Sequence, residues 1–425
     1  MKIKVTDKDY DEVMAMPREK HTRPARQSAL ARAVLRAASS FEMKSVSFEC
    51  DASPLRALGK DEPCLILMNH SSFTDLQITS TLFHDRQYHI VCTNDGFIGK
   101  ESLMKWIGCI PTRKFMTDTV LVRDLRYAVQ DLKSSIIMFP EASYSFDGTE
   151  TPLPESLGKL IKMLGIPVVM IMTRGSFLRD PLYNGLRKRN VRVSAEVRIL
   201  LDREDIRAAD ASRIDDILKD AFSYDHFRDQ HQRGITVSEP FRAEGLERVL
   251  YRCPECGGEG TNVTEGDRIT CTSCGTVHTL CEDGTLSSPG GETRFTYVSD
   301  WYAWERECVR NEILSGAYLI DTPVDILILR DMKSMYRVGD GTLVHDCSGF
   351  HLTGCGGRLD YSQSPRSSYS LYADYFWYEI GDMISIGDSK AQYYCFPKGE
   401  KAVPVAKARL AAEEMYKLSA KEGSI

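Results

Sequence analysis

Four short apolar runs in the first half of the chain constrain its fold more than any other feature. They read CLILM (64–68), YHIVC (88–92), SIIMF (135–139) and VVMIM (168–172). Runs this short and apolar throughout suit strands buried on both faces. The stretches between them carry helical spacing. Leu121, Leu125, Ala128 and Leu132 share one face, as do Leu157, Leu160, Ile161 and Leu164, closed by Gly165 and Pro167. VRVSAEVRILL (191–201) alternates like a half-exposed strand. This alternation predicts an α/β domain with a mostly covered sheet.

The chain has 425 residues, enough for two to four domains. Residues 1–45 are expected to form a polar segment and then an amphipathic helix over 24–41. Pro24 suits its first position. Leu30, Val34, Ala37, Ala38 and Phe41 fall on one arc, with Arg32 and Arg36 opposite. That arc can pack on the next domain or lie on anionic lipid. The α/β domain is placed at 46–245 and a Gly-, Cys- and Thr-rich unit at 248–290. Residues 291–425 form a β-rich unit, with a first helix around Asp300–Leu314 and a last one over Val405–Ser419. Net charge is −6, which argues against a whole-chain grip on nucleic acid. No apolar run approaches the roughly 20 residues of a membrane span, and the N-terminus lacks an apolar signal core. The expectation is a cytoplasmic protein, peripheral on the inner face of the membrane.

Asn69-His70-Ser71-Ser72-Phe73-Thr74-Asp75 comes directly after the first apolar run. If a helix starts here, the Asp75 carboxylate can fold back onto the His70 imidazole. It then fixes the tautomer and stabilises the imidazolium, which suits a general base for a hydroxyl nucleophile. Spacing alone is weak, since His278 and Asp283 repeat it without matching context. Three further blocks, in a fixed order, make a stronger signal. They are Gly108-Cys109-Ile110-Pro111-Thr112-Arg113-Lys114, then Phe139-Pro140-Glu141-Ala142-Ser143-Tyr144-Ser145, then Ile166-Pro167-Val168-Val169.

Together these four blocks resemble those of the glycerolipid acyltransferases, the 1-acylglycerol-3-phosphate acyltransferase family, over about residues 60–200. The resemblance implies that His70 is the general base and Asp75 its orienter. It implies an acyl thioester, on CoA or acyl carrier protein, as co-substrate. Arg113 and Lys114 are then expected to hold the acceptor phosphate. Arg113 is preferred for its bidentate fork. Glu141 and Ser145 are expected to contact the acceptor, and Pro167 the acyl-chain region. The third block departs from the family pattern: Ala142 stands for Gly and Tyr144 for Arg. The lost cation puts the acceptor in question. Asp118 is expected to cap the next helix instead of binding a ligand.

Cys253-Pro254-Glu255-Cys256 and Cys271-Thr272-Ser273-Cys274 are two knuckles 14 residues apart, each trailed by a glycine (Gly257, Gly275) that allows a left-handed turn. Four thiolates so spaced predict a closed, structural Zn site, and the pattern resembles a zinc ribbon. His278 and Cys281 read as hairpin residues or alternative ligands. His345, Cys347, His351 and Cys355 fit no ribbon knuckle and read as a β-hairpin. The aromatic group from Tyr369 to Tyr378 is barrel core or a ligand platform. Strands and then a helix resemble a pleckstrin-homology-like barrel by fold analogy.

The combined expectation is a peripheral acyltransferase acting on 1-acyl-sn-glycerol-3-phosphate in phospholipid biosynthesis. Its expected partners are the lysophospholipid acceptor, the thioester and a membrane surface. The alternatives are another lysolipid or an amine or hydroxyl acceptor, or an inactive lipid-binding scaffold.

Overall fold

The computed structural model describes residues 2–72, 74–116, 118–291, 293–399 and 404–422. Phe73 and Thr117, inside and beside two of the motif blocks, lie outside the described residues. The chain forms two compact units. One holds His21–Pro181 and Arg187–His226. The other takes the chain up to Lys20, Leu182–Leu186 and everything from Phe227 onward.

The first unit is built on seven strands: β1 (Glu49–Asp51), β2 (Leu65–Met68), β3 (Tyr88–Thr93), β4 (Cys109–Thr112), β5 (Ser135–Met138), β6 (Val168–Arg174) and β7 (Ser194–Leu201). Their spatial order is β1-β7-β6-β2-β5-β3-β4. All neighbours run parallel except β6 and β7. Every residue of β2 and β5 is buried, as continuous apolar runs require when both faces are covered. Leu65, Leu67, Ile136, Met138, Val168 and Met170 share one core with Leu125, Leu157, Ile161 and Leu164 from the helices Thr119–Gln130 and Leu157–Leu164. Each such burial contributes ~1.5–3 kcal/mol. β4 was not expected from the sequence. It is short and carries Pro111, which a sheet tolerates at an edge, and β4 is one of the two edge strands.

The helix expected over 24–41 runs instead from Ala29 to Ser45. Ser28, not Pro24, sets its start, because the Ser28 side chain caps Ala31 N at 3.1 Å. Ala31, Ser39 and Met43 are its buried residues. The apolar arc faces outward: Leu30 is 66% exposed, Val34 46% and Phe41 79%.

In the second unit four antiparallel strands, Asn262–Glu265, Arg268–Cys271, Val277–Leu280 and Leu286–Ser287, form the small sheet of the cysteine-rich region. The β-rich part has seven strands: β8 (Leu319–Asp331), β9 (Ser334–Asp346), β10 (Gly349–Gly354), β11 (Leu359–Gln363), β12 (Tyr372–Trp377), β13 (Gly381–Gly387) and β14 (Gln392–Pro397). They run in the order β11-β10-β9-β8-β14-β13-β12. The helix Val405–Glu422 comes last. Its buried Glu413 pairs with Arg306 at 2.7 Å, on the helix Val298–Ser315. The N-terminal residues belong here and not with the helix after them. Val5–Asp7 pairs in parallel with Met335–Arg337 of β9. A three-residue strand leaves too little period to read from sequence. His345, Cys347, His351 and Cys355 sit on or beside the β9–β10 hairpin. Tyr372, Tyr375 and Trp377 are core, while Phe376 is 40% exposed.

Candidate functional site

Strand β2 ends at Met68, and Asn69 follows; its side-chain oxygen accepts from Thr173 N at 2.8 Å and ties the strand end to β6. His70 is next, and the helix Thr74–Leu82 starts four residues later. This short turn lets Asp75, in the first helical turn, reach back. His70 Nδ1 lies 3.0 Å from Asp75 Oδ2; the Asp75 side chain is 1% exposed and that of His70 23%. The same oxygen accepts from Ser71 N at 3.0 Å and Ser72 N at 3.2 Å. Two backbone N–H groups and the His70 ring thus converge on one carboxylate oxygen. With Nδ1–H donating to Asp75, the Nε2 lone pair of His70 is left to take a proton.

The parallel strands bring three motif blocks to one edge of the sheet. His70 lies just after β2, Arg113 and Lys114 after β4, and Glu141–Ser145 after β5. Carboxyl ends of parallel strands are where open α/β sheets bind ligands. Arg113 and Lys114 are half-buried. Asp118 accepts from Val120 N and Leu121 N, both at 3.0 Å, and caps the next helix. Pro167 is not at that edge. It precedes β6, and its carbonyl accepts from Leu65 N at 2.8 Å at the opposite strand end.

Glu141 is fully buried. Its Oε2 accepts from His70 N at 2.9 Å. Its Oε1 accepts from Thr151 N at 2.8 Å and from the Tyr224 hydroxyl at 2.9 Å. Ser145 is buried in the same loop: its hydroxyl donates to Thr149 O at 2.6 Å and its N–H to His70 O at 3.3 Å. The His70 ring packs against Phe139 and Tyr144, with ring centroids 4.5 Å and 4.4 Å away. Ala142 adopts φ +58°, a left-handed backbone that strains any residue but glycine. Asp180, Tyr224 and His226 converge on this site but belong to no block. Nothing in the order of residues marks them.

The four cysteines also converge. Their sulfurs lie within 4.8 Å of one another, with Cys253–Cys274 and Cys256–Cys271 both at 3.7 Å. Tetrahedral Zn with bonds of about 2.3 Å needs S–S edges of roughly 3.8 Å, so the donor set fits Zn. Gly257 and Gly275 take φ +73° and +74°, and their N–H groups donate to Cys253 O and Cys271 O. His278 and Cys281 stand outside this cluster. Among the described residues no other group of three or more metal-ligand side chains converges so closely.

A buried strand, a tight turn and a carboxylate-held histidine thus meet at the carboxyl ends of an α/β sheet. Residues 51–174 match the family model described as Acyltransferase, and the chain carries a domain of that family. Among solved structures, the 1-acyl-sn-glycerophosphate (LPA) acyltransferase PlsC from Thermotoga maritima is similar at 15% identity, with a TM-score of 0.36 over 45% of this chain and 78% of that chain. No curated protein matches the chain.

Proposed function

We propose that the protein moves a fatty acyl group from an acyl thioester of CoA or acyl carrier protein to a lysophospholipid hydroxyl, with 1-acyl-sn-glycerol-3-phosphate as acceptor. The observation that carries this is the 3.0 Å His70–Asp75 pair inside the matched segment. His70 Nε2 takes the acceptor's hydroxyl proton as its oxygen attacks the thioester carbonyl. The tetrahedral adduct collapses, the C–S bond breaks, and the leaving thiolate takes the proton back from His70 and departs as the free thiol. Asp75 stabilises the imidazolium. Arg113 and Lys114 hold the phosphate, Arg113 through its fork. Glu141, expected from its block to meet the acceptor, instead acts on the base through the His70 backbone, because both of its oxygens are taken by protein donors. Zn on Cys253, Cys256, Cys271 and Cys274 supplies structural order to a region poor in apolar residues.

The outward arc of Leu30, Val34 and Phe41 supports docking on a membrane surface. So do Leu103 and Trp106 on the helix Glu101–Trp106, which are 52% and 38% exposed. Among the described residues no helix is long and apolar enough to cross a membrane.

The test is free-thiol release from acyl-CoA and acyl-carrier-protein thioesters across an acceptor panel, with His70→Ala beside the wild type. Release that requires 1-acyl-sn-glycerol-3-phosphate and vanishes in His70→Ala supports the proposal. One observation favours a second reading: Tyr144 packs an uncharged ring against His70 where the family block carries Arg. Release with a different lysolipid or an amine acceptor establishes that reading. No release from folded, Zn-loaded protein leaves a lipid-binding scaffold.

A further inference from the structure

Two of the three hydrogen bonds to Asp75 Oδ2 come from backbone N–H groups, those of Ser71 and Ser72. A carboxylate held this way is only as well aimed as the peptide planes that hold it. Each of the two serines is gripped through its hydroxyl by a side chain from beyond the family-matched segment. Ser71 Oγ lies 3.1 Å from His226 Nε2. Ser72 Oγ donates to Asp180 Oδ1. Both gripping residues are buried, His226 at 3% exposure and Asp180 at 2%. His226 is itself fixed: its ring stacks on Phe177 at 5.3 Å and 5°, and its backbone N–H donates to Gly148 O at 2.9 Å.

The chemistry of these residues is costly for mere packing. Asp180 buries a second carboxylate close to that of Asp75. Burial, opposed by the Ser72 bond and reinforced by the Asp75 charge, pushes its carboxyl up to about 7. An apolar pair of similar size avoids that cost. Burial likewise lowers His226 to about 3, so it stays neutral and its Nε2 can accept the Ser71 hydroxyl proton.

We propose that Asp180 and His226 are positioning residues: by fixing the Ser71–Ser72 turn they set the aim of Asp75 at His70 Nδ1. This rests on the reading of His70 as the base.

The experiment uses the full chain and two readouts. One is the downfield imidazole N–H proton resonance of His70, assigned by its disappearance in His70→Ala. The other is kcat and KM for thiol release. Asp180→Ala and His226→Ala are expected to broaden or abolish the resonance and to lower kcat ~10–100-fold with KM little changed. Asp180→Asn keeps an acceptor for Ser72, and His226→Gln keeps a polar atom near Nε2, so both should restore the resonance and most of kcat. If an alanine variant does not fold, Asp180→Leu is the second variant: it leaves the Ser72 hydroxyl on Thr74 N while removing its Asp180 partner, and is expected to give the same loss. An unchanged resonance in folded alanine variants overturns the proposal, as does a loss that Asp180→Asn and His226→Gln fail to restore. If the wild type releases no thiol, the acyl-transfer reading fails on its own, and the resonance still decides the positioning role.

Discussion

The backbone N–H of His70 donates to the carboxylate of Glu141 at 2.9 Å, so the third motif block holds the first from behind. The two residues are 71 positions apart. Only the parallel pairing of β2 with β5 makes them neighbours. A buried carboxylate with three donors is an ionic hub, and its removal strands all three.

Glu141→Ala is therefore expected to destabilise the fold by ~3–5 kcal/mol, because donors from His70, Thr151 and Tyr224 lose their partner in the interior. Denaturant unfolding measures this. Tyr224→Phe removes one donor and should cost about 1 kcal/mol.

Ala142→Gly is expected to stabilise the protein by about 1 kcal/mol. The φ of +58° penalises any side chain, and glycine relieves it, less the extra entropy of its unfolded chain. A gain in denaturation midpoint with an unchanged m-value checks it. No gain means the loop relaxes around Ala142.

Asp180 links stability to pH. Its folded-state carboxyl is raised to about 7, by burial first, against the Ser72 bond and with the Asp75 charge; Arg179 and Lys188 oppose the rise. The unfolded carboxyl titrates near 3.9. Between these values the folded state binds more protons than the unfolded state. The Asp180 contribution is thus fully present below about pH 4 and is lost as pH rises to 7, by a few kcal/mol at most. Asp180→Asn should flatten that part of the pH–stability curve and make the protein more stable than wild type at pH 8. Parallel curves for the two proteins would refute the linkage.

Zn removal should unfold the cysteine-rich sheet while sparing the α/β unit. Hydrogen exchange after chelation is expected to lose protection over 253–280 and to keep it in β2, β5 and β6. Cys253→Ser should reproduce the pattern without chelator. Retained protection in both cases would show that the cluster folds without metal.

Phe41→Glu with Leu30→Glu should sharply reduce sedimentation with anionic phospholipid vesicles and leave the thermal midpoint within a degree or two, because both side chains are already in water. Unchanged sedimentation would remove the membrane role from this helix.

Where the information is local, the order of residues was enough. Continuous apolar runs marked β2, β3, β5 and β6, since a strand covered on both faces has no other composition. Cys-x-x-Cys with a glycine next to it marked the knuckles, since the turn and the ligands share five residues. The pairing of His70 with Asp75 was legible because both lie within one strand–turn–helix unit. Contacts between residues distant in the chain settled the rest. The arc of Leu30, Val34 and Phe41 has the same periodicity whether it packs or faces out, and only the surrounding surface chose. Val5–Asp7 became a strand because β9 offered it an unpaired edge. Glu141 reads as a ligand-facing carboxylate in its block, yet the fold surrounds it with donors. Asp180 and His226 carry no local signal at all: their partners, Ser72 and Ser71, stand 108 and 155 residues earlier, and only the packed sheet brings them to the base.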